Sequence, residues 1–367
     1  MKIMYVTDQL YLHGGIEKIT TEKMNYLTDN FGYEVILCTS EHKENAFVYK
    51  LSKKVRHLDL GINYFRKLSY FHPKNLLKSI SHYRALRKLI QQEKPAIIIS
   101  VNYTPEQFFL PFIAKEIAKV KEFHSSGYVL KTPVNLMDKL KYQMFLLLDK
   151  YHIKVVLNDC EKQYYPFKNI EVIPNFISYN NKLKSTVVKE KTIIAAGRIA
   201  PVKQFDHLIK AWSLIATNFP DWRVKIFGDG DAELSLKLEG LIKELKVPNI
   251  YLMGATNCLE EEFQKSSCYA MTSATECFPM VLLEAMSQGL PIVSYDCPHG
   301  PSTIITDSED GILVDHNDID IFANKLAFLI SNKDLRDLMS KEAIKKASKF
   351  EAKVIMQQWK KLFLNIK

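Results

Sequence analysis

Short runs of apolar, largely β-branched residues recur along this chain with helix-like stretches between them, and that alternation limits the folds open to it. In the first half the runs fall at 3–7, 34–39, 96–101, 120–123 and 154–157. A polar stretch at 178–191 interrupts the pattern, which restarts at 192–196, 224–227, 250–253, 269–272, 292–295 and 312–314. Two successive β-α-β series predict two parallel sheets, each with helices on both faces, hinged near 176–191. Helices are expected at 20–29, 317–330 and 333–348, and over a last segment, 351–365. Residues 76–90 carry apolar side chains at 76, 77, 80, 83, 86, 89 and 90, the spacing of one helix face.

A chain of 367 residues, 47% hydrophobic and 25% charged, has room for two such domains. Lys2 leads at once into a strand-like run, so no secretory signal is expected. The longest apolar runs, 108–114 and 144–148, are too short to cross a bilayer. The six cysteines (38, 160, 258, 268, 277, 297) are scattered, without a C-x-x-C pair or a histidine at ligand spacing. The expectation is a reduced, cytoplasmic protein without structural zinc.

Charge is uneven. Residues 1–185 carry 28 Lys and Arg against 17 Asp and Glu (+11), residues 186–367 carry 22 against 24 (−2), and the two sum to +9. The basic half suits an anionic partner such as a membrane surface, a phosphorylated acceptor or nucleic acid; a lysine-rich solvated surface explains it equally. Nucleic acid fits least, because neither a stacking platform nor a recognition-helix signature is present.

Parallel sheets bind ligands at the carboxyl ends of their strands, so the turns after strands hold the candidates. Residues 13–17, H-G-G-I-E, follow the first run, and the Gly14–Gly15 pair lets backbone approach a phosphate or simply makes a tight turn. Residues 197–203, G-R-I-A-P-V-K, hold Arg198 and Lys203 at fixed spacing, a fork and a point charge suited to a diphosphate. Residues 228–231, G-D-G-D, fail the dinucleotide fingerprint because Glu233 stands where a third glycine belongs. Their D-x-D pattern suits a divalent metal, but Asp231 also suits a helix N-cap, and the charge already supplied by Arg198 and Lys203 favours the cap. His124, at the end of the 120–123 run, either orients a substrate or is an ordinary structural histidine.

The stretch 275–298 places Glu276 and Glu284 around a helix start, with Pro279 before an apolar run and Gly289 after it. A helix at 280–288 is expected, with the first carboxylate in the preceding loop and the second about one turn inside.

Together, G-G-x-E at 14–17, V-I-P-N at 172–175, G-R-x4-K at 197–203, G-D-G at 228–230 and E-x7-E at 276–284 resemble the retaining glycosyltransferases of family four. The resemblance spans nearly the whole chain and implies an α/β fold of two Rossmann-like domains facing across a cleft (GT-B). It implies an acceptor-side domain over 1–180, a nucleotide-sugar domain over 186–350, and a C-terminal helix, 351–367 with Trp359, crossing back to the first domain. Arg198 and Lys203 would hold the donor diphosphate, so that no metal or cofactor is needed. Glu284 would hold the ribose and Glu276 the sugar hydroxyls. Gly15, Gly228, Phe278, Met280 and Val281 would complete the donor site, and His124 would sit near the transferring sugar. Gln204 and Cys277 stand where the family often has glycine. Cys277 reads as a small packed residue rather than a nucleophile.

The implied reaction is retaining transfer from a nucleotide-diphosphate sugar, expected to be UDP-linked, to a saccharide or lipid-linked saccharide acceptor in bacterial envelope glycan synthesis. A nucleotide-sugar epimerase and a non-catalytic nucleotide- or membrane-binding relative are the alternatives. Residues 61–73 are aromatic and basic and lead into a basic helix. They suit the inner face of the cytoplasmic membrane, or else a helix with one core face and one solvated lysine face.

Overall fold

The computed structural model describes residues 1–129, 136–178, 187–298 and 300–366. It comprises two compact units, one of Met1–Asn175 with Ala352–Lys367, the other of Phe176–Glu351. Within the polar stretch expected as a hinge, residues 179–186 lie outside the described residues, and so do the expected domain limits at 180 and 186.

The first unit holds β1 (Lys2–Thr7), β2 (Glu34–Thr39), β3 (Arg56–Asp59), β4 (Ile97–Ser100), β5 (Ala118–Glu122), β6 (Ile153–Val156) and β7 (Ile170–Val172). Their order is β3-β2-β1-β4-β5-β6-β7, and every pairing is parallel. The second unit holds β8 (Thr192–Ala196), β9 (Arg223–Phe227), β10 (Ile250–Gly254), β11 (Cys268–Met271), β12 (Ile292–Tyr295) and β13 (Gly311–Val314), again all parallel, in the order β10-β9-β8-β11-β12-β13. Strand order therefore reverses between β1 and β4 in one sheet and between β8 and β11 in the other. At such a reversal the connections leave in opposite directions and open a crevice at the carboxyl ends of the strands. Helices cover the sheets. In the second unit, Trp212 of helix Phe205–Ile215 packs into the core and its indole N–H donates to the Pro248 carbonyl at 2.9 Å.

Two strands escape the pattern of apolar runs. β3 (R-H-L-D) and β7 (I-E-V) are edge strands with exposed or half-buried residues, so they present no continuous run. Helix α1 (Gly15–Asp29) starts five residues before the expected position, because extended Gly14 forms its N-cap directly after the tight turn. Helix Ala352–Asn365 belongs to the first unit although it follows the second in sequence. It buries Ile355, Met356, Trp359, Leu362 and Phe363, the i, i+4, i+7 stripe that drives such docking.

Helix α2 (Pro73–Glu93) corrects one reading. The expected single apolar face included positions 76, 77 and 80, but the helix buries Asn75, His82, Leu86 and Ile90. Asn75 is buried because its side-chain amide accepts from the Phe65 N–H and donates to the Ser69 carbonyl, both at 3.0 Å. At about 100° per residue, Leu76, Leu77 and Ile80 fall outside the arc that carries Asn75, His82, Leu86 and Ile90, and they face outward.

Candidate functional site

In the second unit the candidate side chains sit on turns at the β8/β11 reversal. After β8, residues Pro201–Lys203 form one 3-10 turn that ends in Gln204 with φ 45° and ψ 45°. This left-handed conformation explains why glycine is the family's usual residue there, and Gln204 bears it with a 3.0 Å hydrogen bond from its amide to Asn317 Oδ1. Two bonds fix the turn against the segment after β11. The Ala274 N–H donates to the Val202 carbonyl at 2.7 Å, and the Thr272 hydroxyl donates to the Gln204 carbonyl at 2.9 Å.

That clamp brings together residues far apart in sequence. Lys203 Nζ donates to Glu276 Oε1 at 2.6 Å, and both side chains are largely covered. Gly300 backs the glutamate, since a Cβ there would lie 2.6 Å from the Glu276 Cβ. Arg198 is exposed and makes no ion pair among the described residues. Helix Met280–Ser287 starts at Pro279, so the first-turn N–H groups of Met280 and Val281 have no earlier helical carbonyl to bond. Glu284 is half-buried one turn inside it, and Phe278 is buried in the loop before it. Burial, against the hydrogen bond to the Ala196 backbone and with Glu276 and then Glu284 adding to it, pushes the Tyr269 phenol well above its ordinary range. Burial, followed by Glu276, likewise pushes the Cys297 thiol up to about 12. Cys277 is buried, and no disulfide joins any of the cysteines.

The G-D-G-D turn takes the capping role. Asp231 Oδ1 accepts from the Glu233 and Leu234 N–H groups at 2.9 and 3.1 Å. Among the described residues no three His, Cys, Asp or Glu side chains form a metal-binding group. Gly228, with φ +147°, lies where a Cβ would stand 1.9 Å from the Gly197 carbonyl oxygen. A Gly228→Ala variant is therefore expected to lose about 2–4 kcal/mol of stability, read by urea denaturation, because the two turns must separate.

In the first unit, Gly15 is exposed at the start of α1, with open space where a Cβ would be. His124 lies two residues past the end of β5, its side chain 3% exposed, with Nε2 2.9 Å from Glu122 Oε2. The same oxygen accepts from Lys23 Nζ of α1 at 2.5 Å, and that ammonium lies 4.5 Å from the centroid of a Trp359 ring. Burial tends to raise the Glu122 pKa, but Lys23 and then His124 outweigh it and hold the carboxyl at about 2. Since Glu122 is ionised, His124 donates through Nε2 and is left with an acceptor at Nδ1, which is buried without a partner. Burial lowers the His124 pKa, and Lys23 and Lys121 act with burial against Glu122, so the ring is neutral near pH 7.

Lys23 and Glu122 were not among the candidates. Lys23 lies on the stripe Thr20, Met24, Leu27, a lysine within a buried helical face, and Glu122 shares a strand face with His124; both spacings are visible in sequence.

Residues 180–346 match the family model of the group 1 glycosyl transferases. The chain is 33% identical over 227 residues to an uncharacterized glycosyltransferase of Haemophilus influenzae, covering 60% of this chain and 62% of that one, so it spans less than two thirds of that relative's length. It is 25% identical to the amylovoran biosynthesis glycosyltransferase AmsD of Erwinia amylovora, with 98% of each covered. It is 24% identical to a Campylobacter jejuni N-acetyl-D-galactosaminyltransferase named for a diNAcBac-PP-undecaprenol acceptor, covering 100% of this chain and 99% of that one. Among solved structures, S. aureus TarM superposes with TM-score 0.81 at 16% identity, over 99% and 98% of the two chains. HepE of Anabaena, solved in complex with UDP, gives 0.79 at 17% identity, with 100% of both covered. The chain thus has the GT-B fold, and residues 180–346 of it match the group 1 glycosyl transferase model.

Proposed function

We propose that this chain transfers a sugar, with retention, from a UDP-sugar to a saccharide or lipid-linked saccharide acceptor, at the cytoplasmic face of a bacterial membrane. The observation that carries the reading is the Lys203–Glu276 pair beside exposed Arg198 at the strand-order reversal. It sets a diphosphate grip and a sugar-hydroxyl acceptor within one hydrogen bond of each other. The relative named for an undecaprenol-linked substrate and the GT-B structure solved with UDP support acceptor and donor class.

In this mechanism the C1–O bond to the diphosphate breaks and its electron pair stays on the departing phosphate oxygen. Arg198 and Lys203 stabilise that charge in place of a metal ion. The acceptor oxygen bonds to C1 on the same face, and its proton passes to a donor phosphate oxygen. Glu276, with Oε1 engaged by Lys203, is assigned to the sugar hydroxyls rather than to nucleophilic attack. Glu284 holds the ribose, with Gly228, Phe278, Met280 and Val281 lining the donor site.

The test is nucleotide release from UDP-, GDP- and ADP-sugars with and without EDTA. UDP-sugar turnover that survives EDTA is expected; loss with EDTA overturns the metal-free role, and failure with every donor overturns the activity. Within that assay, Glu284→Gln is expected mainly to raise the donor KM and Glu276→Gln mainly to lower kcat. The opposite pattern would exchange their roles.

A further inference from the structure

The turns that follow β1, β2 and β3 bring two carboxylates and an arginine together in the first unit. Parallel pairing continues just past β1 and β2, where the Ser40 N–H donates to the Thr7 carbonyl at 3.2 Å and the Glu41 N–H to the Asp8 carbonyl at 3.0 Å. Asp8 and Glu41 therefore stand side by side, 8% and 1% exposed. The aromatic and basic segment after β3 is pinned beside them. The Ile62 N–H donates to the Ser40 carbonyl and Lys78 Nζ to the Ile62 carbonyl, both at 2.7 Å. The Asn75 amide holds Phe65 at its N–H (3.0 Å) and its carbonyl (3.2 Å). Arg66 Nη2 is thereby set 2.9 Å from Asp8 Oδ2 and 2.9 Å from Glu41 Oε1. The contact with Asp8 is a hydrogen bond. Glu41 Oε1 is out of line with the guanidinium N–H groups and is buried without a hydrogen-bond donor.

A buried carboxylate oxygen in that state costs free energy until a donor reaches it. Glu41 lines a cavity of about 320 Å³ together with Lys43, Tyr64, Phe65, Arg66 and Lys67. Phe65 is exposed and offers an apolar ring. Lys43 and Lys67 are exposed and make no ion pair among the described residues. Nε and Nη1 of Arg66 make no hydrogen bond among the described residues either. Three cations thus stand against the two carboxylates, and the sequence between Asp59 and Glu93 adds no Asp or Glu to compete. We propose that this cavity holds the acceptor by a polyhydroxylated unit that carries a negative charge. A hydroxyl of that unit donates to Glu41 Oε1, the Phe65 ring packs on its C–H groups, and its phosphate ester or uronate carboxylate meets Arg66, Lys43 and Lys67. Naming the bound molecule as the acceptor rests on the sugar-transfer reading; the ligand chemistry rests on the first unit alone.

Saturation-transfer NMR titration of the full chain with glucose, glucuronate and glucose 6-phosphate tests it, with no donor present. At least one charged sugar is expected to bind at least about tenfold more tightly than glucose. Lys43→Gln/Lys67→Gln, both exposed, is expected to remove most of that preference. Glu41→Leu is expected to erase the advantage of the charged sugar over its anion alone, inorganic phosphate or acetate. Retained binding of that anion, with thermal unfolding measured alongside, separates this loss from misfolding. Arg198→Ala/Lys203→Ala should leave every affinity unchanged. A stronger response to glucose 6-phosphate assigns a phosphorylated acceptor, and one to glucuronate an acidic saccharide. Equal affinity for charged and neutral sugars, a preference that survives the lysine substitutions, or binding lost in Arg198→Ala/Lys203→Ala overturns the proposal. Because the titrations omit donor, their failure leaves UDP-sugar turnover standing, and failure of turnover leaves their outcome standing.

Discussion

Replacing Lys203 by alanine is expected to slow sugar transfer by about 10²–10³-fold, the usual cost of removing one preorganised donor from a developing anion. The side chain is 20% exposed and its partner Glu276 16%, so the variant leaves a largely covered carboxylate unpaired, and its thermal unfolding is measured beside its rate to separate lost stability from lost catalysis. Two things are lost together. The departing diphosphate loses a cation, and Glu276 loses the ammonium that fixes it for the sugar hydroxyls. Lys203→Arg should recover only part of the rate, because a planar fork does not reproduce a compact ammonium 2.6 Å from Glu276 Oε1. A rate within about threefold of the parent would remove Lys203 from the mechanism.

The largest stability effect is expected at Lys23. Lys23→Met leaves the Glu122 carboxylate in the interior with only His124 beside it, at a cost of about 3–5 kcal/mol. The Lys23→Met/Glu122→Gln double variant should recover most of that loss, since the carboxylate that Lys23 compensates is then gone. The pH profile gives an independent readout. Glu122 titrates near 4.3 when unfolded and at about 2 when folded, so its stabilisation is complete above about 4.3 and disappears as pH falls towards 2. His124 adds a loss that begins higher. Below about 6.5 the unfolded imidazole takes up a proton that the buried ring resists, so stability falls as pH falls. Urea denaturation of the double variant should show a shallower decline below pH 4.3; an unchanged decline would mean that Glu122 does not carry the acid sensitivity.

Much of the architecture was legible because parallel strands covered on both faces must be continuously apolar, as in T-I-I-A-A of β8 and I-V-S-Y of β12. Edge strands β3 and β7 lack that constraint and gave no signal. The turns holding Arg198, Lys203, Glu276 and Glu284 could be read from their order. The Lys203–Glu276 contact could not, because it joins residues 73 apart through a clamp made by main-chain carbonyls. Periodicity also reports which residues share a face but not what covers it. Leu76, Leu77 and Ile80 look like core in sequence, but the helix buries the arc of Asn75, His82, Leu86 and Ile90 instead and leaves them outward. Gln204 shows the converse: a position usually glycine became intelligible once its left-handed backbone was seen.

The claim that the turn at 197–203 grips a donor diphosphate is tested most directly by calorimetric titration of UDP and of uridine into the full chain and into Arg198→Ala/Lys203→Ala. The account predicts that UDP binds the parent much more tightly than uridine does, and that the double substitution removes most of this difference while leaving uridine binding nearly unchanged. A difference between UDP and uridine that survives the double substitution would place the diphosphate elsewhere and contradict the account.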